Sequence, residues 1–484
     1  MVVPAGKEIV AADPFALEVL AELPLAESFY TLWAYVATDE VLEDLFDTHR
    51  GRCYEDRLTF HELVAVFTDA LTRYHGSGRR ASAKALQRNH FSVKQRALYG
   101  KLSRLPLPLA EAFLSDLTAR LRPLFPQGLF RTQWPACLDN LTVVVLDGKK
   151  IKNAAKRLLA TRGRPGKLFG GKILAAYLPE DGMVVALAAD PDGEANDLRL
   201  LPRVLPLARA AVAGPRLWVA DAQFCDLEQT QAFTQDEGDH FLLRFTLRNS
   251  FSVDPSRPAQ TGINRRGQAY TQDWGWMGSE KDPRRRYVRR IVVARPGEED
   301  VVVVTDLLDE KAYPAEDLLA VYLERWQIAS VFQQITEVFD LQHLIGCTPG
   351  ATVFQASLGL VIYNVLQVVR GYAAPARREA VKVSELSTET IFKDMHEELL
   401  GLHGVLTGER LCGVLPRPQS VSEVRERLKE LHAQAWTAPW LKAKPSKKPR
   451  PQQPNAKQSG AHTSVHKILQ EAKQQKAPIH DLKF

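Results

Sequence analysis

Two short apolar runs, each ending in an aspartate, constrain the fold more than anything else in the chain. Thr142-Val-Val-Val-Leu146 runs straight into Asp147, and Arg216-Leu-Trp-Val-Ala220 runs into Asp221. Such runs, rich in β-branched and aliphatic residues and closed by turn residues, read as strands buried on both faces. Two further strands are predicted at about 170–178 and 183–190, with the turn Pro179-Glu-Asp-Gly182 between them. A helix at 197–212, a helix near 227–236 and a strand over 240–245 continue the pattern. Strands joined by a short turn, then strand–helix alternation, give an α/β fold: a mixed sheet flanked by helices. No Gly-x-Gly-x-x-Gly follows the first strand, so the arrangement is not a dinucleotide-binding one.

The flanking segments have a different texture. Residues 15–126 carry helical periodicity, with capping boxes at Thr59-x-x-Glu62 and Ser92-x-x-Gln95. The helix predicted over 92–104 presents Lys94, Arg96, Lys101 and Arg104 and follows a short basic helix. That pairing is helix-turn-helix-like, and both base reading and phosphate contact remain open to it. Residues 246–308 read as an inserted β-rich subdomain with strands at 287–294 and 300–305. One long helix is predicted from Ala315 to about Leu344, and another over 351–372. The latter is apolar on most sides but carries Gln355, Asn364 and Gln367, which suits a core helix better than a membrane span. Residues 380–436 look helical and auxiliary, and Lys442 to Gly460, rich in Pro, Lys and Gln, is expected to be disordered. The regions expected are therefore 1–140 (helical, DNA-binding), 141–246 with 309–376 (core), 247–308 (insertion), 377–440 (helical) and 441–484 (a basic, largely disordered tail).

Charge points to the partner. The chain of 484 residues has a net charge of +6, but the tail from Lys442 onward contributes +8 and leaves −2 for the rest. Against that slightly acidic body stand two acid-free basic windows. Residues 79–104 hold eight Lys and Arg, and residues 149–172 hold nine, including Lys149, Lys150 and Lys152 just past the first aspartate. A third cluster runs from Arg284 to Arg290. Long acid-free runs suit a polyanion, because each phosphate contact releases counterions. The five cysteines form no Cys-x-x-Cys pair, which suggests a reducing, cytoplasmic setting and gives no zinc site. No basic-then-apolar signal segment opens the sequence.

Two carboxylates at neighbouring strand ends suit Mg²⁺, which takes carboxylate oxygens and completes its octahedron with water and phosphate. Strand-end caps would use the same two residues, and spacing alone leaves both readings open. The predicted long helix adds the decisive residues: Tyr322-Leu-Glu-Arg325-Trp326-Gln-Ile-Ala329-Ser-Val-Phe332-Gln-Gln-Ile-Thr336. This segment resembles the Tyr-x2-Arg-x3-Glu-x6-Lys signature of DDE transposases of the insertion-sequence type 4 family. Asp147 and Asp221 fall where that family's two aspartates would, and Tyr322, Arg325 and Trp326 match in register. The family's glutamate falls on Ala329 and its lysine on Thr336. On an ideal helix Glu324 lies about 140° around from position 329, and Glu337 about 80° around and about 12 Å along, so neither replaces the missing carboxylate.

The resemblance implies a ribonuclease H-like catalytic core interrupted by a β-rich insertion, spanning roughly 140–372. It implies two Mg²⁺ ions, with Mn²⁺ able to substitute, held by Asp147, Asp221 and a glutamate at 329. Phosphate contacts would come from Arg325 and Tyr322, a DNA entrance from Lys149, Lys150 and Lys152, and base stacking at an opened hairpin end from Trp274 or Trp276. The partners it implies are double-stranded DNA, both terminal inverted repeats and target, and a second copy in a synaptic homodimer, with no membrane and a cytoplasmic, nucleoid-associated location. Ala329 leaves two explanations: a deliberate Glu→Ala change that silences an otherwise intact transposase, or a retired transposase kept as a DNA-binding regulator. A ribonuclease H-like nuclease that cuts without joining is a further alternative.

Overall fold

The computed structural model describes residues 13–53, 57–87, 93–126, 134–246, 249–264, 266–295, 299–337, 344–376, 381–406, 408–415, 417–433, 435–442 and 462–479. Seven helices come first: α1 (Pro14–Ala21), α2 (Pro24–Val36), α3 (Asp39–His49), α4 (Phe60–Arg73), α5 (Gly78–Gln87), α6 (Gln95–Leu102) and α7 (Leu107–Leu121). The core follows with β1 (Thr142–Ile151), β2 (Leu168–Phe169), β3 (Gly171–Leu178), β4 (Met183–Asp190), α8 (Leu201–Ala211), β5 (Arg216–Ala220), α9 (Leu227–Phe233) and β6 (His240–Arg244). The insertion supplies β7 (Phe251–Val253), β8 (Gln260–Ile263), β9 (Ala269–Met277), β10 (Arg286–Val293) and β11 (Val301–Thr305). Then come α10 (Ala315–Glu324), α11 (Trp326–Glu337), α12 (Pro349–Ala373), α13 (Thr388–Val405), α14 (Gly408–Val414), α15 (Val421–His432), β12 (Thr463–Ser464) and α16 (Val465–Gln474).

One ten-stranded sheet organises the molecule, in the order β4-β3-β1-β5-β6-β11-β10-β9-β7, with β8 paired to β9. β4, β3 and β1 run antiparallel to one another, and β1, β5 and β6 run parallel. Three antiparallel strands followed by two parallel ones is the ribonuclease H-like arrangement, so the fold class expected from the sequence holds. The alternation of side chains along each strand divides the core in two. Val143, Val145, Leu217 and Val219 join the apolar cluster that contains α12, whereas Val144, Leu146, Trp218 and Ala220 join the one that contains α8. Both faces of β1 and β5 are thus covered, which is why their sequences are continuous apolar runs.

Several expectations need correction. The insertion is not a separate subdomain: β11 pairs antiparallel with β6, so β7 to β11 prolong the core sheet. The single long helix is broken at Arg325, which caps α10 before α11 begins. β1 does not stop at Asp147 but continues to Ile151. The chain beyond 441 is not all tail: β12 pairs in parallel with β2, and α16 buries Val465 and Ile468 completely. Of Lys442–Gly460, where disorder was expected, 443–460 lies outside the described residues, as does Ser92 of the second capping box. The Thr59–Glu62 capping box is present.

Helix α12 is long and apolar enough to cross a membrane, yet it is wholly buried. Its polar residues explain its place. Asn364 donates to Thr118 Oγ1 and Val184 O, 2.8 Å each, and Ser357 Oγ donates to Ala110 O at 2.5 Å. These bonds clamp α12 between α7 and β4 and satisfy groups that hydrocarbon would leave unpaired.

Candidate active site

Asp147 and Asp221 come together because of register. β1 and β5 pair in parallel with Val145 opposite Val219, and two residues further along stand Asp147 within β1 and Asp221 just past the end of β5. Asp147 shares the odd-numbered face of Val143 and Val145, and Asp221 that of Leu217 and Val219, so both project toward the α12 side. Asp221 also accepts a 3.0 Å hydrogen bond from Gln223 N and so caps the turn after β5. The cap reading of Asp221 and its place beside Asp147 are therefore both present.

Burial pushes the Asp147 carboxyl up to about 6, and the charges of Asp221 and Asp197 push the same way against the opposing pull of Arg325. A carboxylate buried beside a second acidic group, as Asp147 is, is what a divalent cation relieves. Arg325 is buried, 7% exposed, with its guanidinium carbon 5.6 Å from the Tyr322 ring centre and 4.8 Å from that of Trp326. Tyr322 is buried beneath it, which raises its hydroxyl pKa, and it feels the charges of Arg244 and Asp221. The helix break at Arg325 brings this cation to the aspartates while its neighbour Trp326 stays exposed.

Helix α11 runs beside the same strand end. Lys149 Nζ lies 5.9 Å from the Phe332 ring centre, and Ala329 is one turn before Phe332 on the same helix face. Ala329 is half-buried. The two nearby glutamates are engaged elsewhere. Glu324 accepts from the Gln327 amide, whose oxygen in turn accepts the Tyr177 hydroxyl at 3.1 Å, and Glu337 accepts from Gln333 at 3.1 Å. Among the described residues no group of three His, Cys, Asp or Glu side chains could hold a metal ion. Asp147 and Asp221 are thus the carboxylates at this strand end on which a divalent cation could draw, with phosphate and water filling its remaining positions.

The other expected residues divide by exposure. Lys150 and Lys152 are exposed and Lys149 is half-buried, its ammonium pKa lowered by burial and by the Lys152 charge. Lys94, Arg96 and Arg104 are exposed, but Lys101 is not available to DNA. It is 4% exposed, donates to Leu58 O at 2.5 Å and lies 4.7 Å from the Phe46 ring centre. Trp274 is likewise fully buried, its indole N–H bonded to Leu308 O at 2.9 Å and its ring covered by Arg257. Trp276 keeps 39% exposure beneath Arg285. The residues that sequence reasoning missed are Asp197, Lys172 and Gln223, which meet behind the strand ends. Asp197 at a predicted helix start reads as an ordinary cap, so only the fold reveals it.

Residues 139–365 match the family model described as the transposase DDE domain, a span that contains Asp147, Asp221, Arg325 and Ala329. A solved structure similar to this chain is the cryo-EM structure of a piggyBac transposase synaptic complex with hairpin DNA. The two share 9% identity over 84% of this chain and 85% of that one, at a TM-score of 0.39. At that level the likeness says nothing about what this chain binds or cuts. No curated protein matches the sequence.

Proposed function

We propose that this chain is a DDE transposase of the insertion-sequence type 4 kind, held in a cleavage-deficient state by Ala329, that still binds DNA. The observation that carries the reading is the meeting of Asp147 and Asp221 on one sheet face, with Arg325 brought to them by the break between α10 and α11, inside a segment that matches a transposase DDE domain. Asp147 and Asp221 would hold the Mg²⁺ or Mn²⁺. Such an ion, when bound, would act as a Lewis acid on a phosphoryl oxygen and offset the charge that develops there in phosphodiester displacement.

The chain's own residues supply the rest. Arg325 would offer its guanidinium to two oxygens of one phosphate of the strand to be cut, a bidentate geometry that lysine cannot reproduce. The exposed Lys150 and Lys152 attract the backbone at the approach to the site. In the glutamate form, water nicks the element's end and the freed 3′ hydroxyl attacks target DNA. Coordinated cutting of both ends calls for a homodimer on DNA. Ala329 favours a second reading, a transposase-derived regulator that binds DNA without cutting.

The test pairs the chain with its Ala329→Glu variant, each mixed with Mg²⁺ and a library of candidate element-end duplexes. Cleavage and strand transfer by the variant alone, with equal binding by both, is the expected result. Binding without cleavage by either form would establish the regulator, and cleavage without strand transfer would establish a nuclease.

A further inference from the structure

Behind the sheet, on the face opposite the paired aspartates, a third aspartate is buried. Asp197 precedes α8 and is 6% exposed. Its Oδ1 lies 2.6 Å from Lys172 Nζ, and its Oδ2 accepts a 2.7 Å hydrogen bond from Gln223 Nε2. Lys172, also 6% exposed, stands on β3 opposite Lys150 of β1 and donates to Ala195 O at 2.9 Å. Gln223 is the residue whose backbone N–H bonds Asp221 Oδ1 at 3.0 Å. The carboxylate itself packs on the bare Cα of Gly148, and any β-carbon there would overlap its oxygens and carboxyl carbon. One buried carboxylate therefore touches the residue after Asp147, the residue two after Asp221, and the antiparallel neighbour of β1.

Burying an ion pair costs desolvation that its attraction repays only when the remaining groups are satisfied, so a pair like this one is weak support for stability. It does fix geometry. β1 and β5 join through main-chain bonds only as far as Val145 and Val219, and both aspartates stand past that last pairing. β3 holds β1 as far as Ile151 and β6 holds β5 as far as Ala220, each on its outer side. Across the gap between the two aspartates themselves the link is Asp197, bonded to Gln223 and packed on Gly148.

We propose that Asp197 is a positioning residue which, through Gln223 and against Gly148, sets the separation of the Asp147 and Asp221 carboxylates and hence their capacity to share a divalent cation. The inference rests on the functional reading above. Groups that orient metal ligands from behind are typically worth about 10- to 100-fold in metal affinity.

The test uses the full chain carrying Ala329→Glu, with Mn²⁺ alone as the probe. Mn²⁺ binding is followed by electron paramagnetic resonance, and melting temperature, duplex affinity and end cleavage are measured beside it. In that background Asp197→Asn and Gln223→Ala are expected to weaken Mn²⁺ binding by about 10-fold or more. The metal concentration for half-maximal cleavage should rise in parallel, with KM for DNA unchanged. Gln223 is exposed, so its alanine variant keeps the fold even if leaving Lys172 unpaired unfolds the Asp197 variant. Unchanged Mn²⁺ affinity in Gln223→Ala, or a loss matched by an equal loss of duplex affinity and melting temperature, would overturn the proposal. Failure of Ala329→Glu itself to bind Mn²⁺ would overturn the functional reading and this one together.

Discussion

At the scale of single residues, exposure separates groups that look alike in sequence. Trp274 and Trp276 stand two apart on β9, the spacing that places both on one face. Yet Trp274 is sealed under Arg257 and bonded to Leu308 O, while Trp276 is 39% exposed. Trp274→Ala should cost about 3–5 kcal/mol of stability, read by denaturant unfolding. Trp276→Ala should cost less stability than Trp274→Ala, because it strips only the Tyr287 and Arg285 contacts of a part-exposed ring. If a base stacks there, the same change should weaken binding of hairpin or single-stranded DNA by about 1–3 kcal/mol. The basic helix divides in the same way. Arg96→Ala should weaken duplex binding and lower the slope of log affinity against log salt by about one, because one phosphate contact is lost. Lys101→Met should leave that slope alone and instead lower the melting temperature, since the Lys101 ammonium bonds Leu58 O in the interior. Net charge in a window reports only that cations are present. Which of them face water depends on helix packing that the sequence does not spell out.

At the scale of elements, what could be read from sequence follows the strength of the local signal. The strand at Arg216–Ala220 and the hairpin around Pro179–Gly182 emerged with almost their observed limits, because continuous apolar runs bounded by turn residues admit few other conformations. The break between α10 and α11 was not legible. Tyr322 to Glu337 is helical in propensity throughout, and the break reflects tertiary demand, since Arg325 is buried toward the aspartates. The C-terminal segment was missed because 462–479 follows a run of Lys, Pro and Gln whose composition dominates its neighbourhood. Its apolar residues declare the docking: Val465 and Ile468 are buried, Lys467 pairs with Glu194 and Asp192, and Arg164 pairs with Glu471. Ile468→Ala should cost about 2–5 kcal/mol of local stability. Limited proteolysis should then release the segment while the melting of the core barely moves, because β12 pairs with β2 in a separate two-stranded sheet and not in the ten-stranded one.

At the scale of the whole molecule, the N-terminal helices and the helices that follow α12 close on each other. Helices α13 and α15 pack on α2: Leu25 N and Ala26 N donate to Glu398, at 2.8 and 2.9 Å, and Arg427 pairs with Glu27. Regions that sequence separated as N-terminal DNA-binding and C-terminal auxiliary thus share one helical layer, and long-range pairing of that kind leaves no local trace. His432, at the end of α15 and 1% exposed, sits in this layer with Nε2 2.9 Å from Ser28 Oγ. Burial depresses its pKa from 6.5 to about 4. Between those values the unfolded chain binds a proton at this position and the folded chain does not, so stability falls as pH drops from about 6.5 toward 4. The contribution of this one group reaches roughly 3 kcal/mol at the low end, at about 1.4 kcal/mol per pKa unit. His432→Gln, which keeps a partner for Ser28 without a titrating ring, should flatten the acid limb of the stability curve by that amount. Denaturant unfolding of both forms at pH 7.5 and pH 5 checks it: the wild-type chain should lose more stability than the variant over that interval. Equal losses would mean that His432 opens to water before it protonates, and that the joint between α15 and α2 loosens ahead of global unfolding.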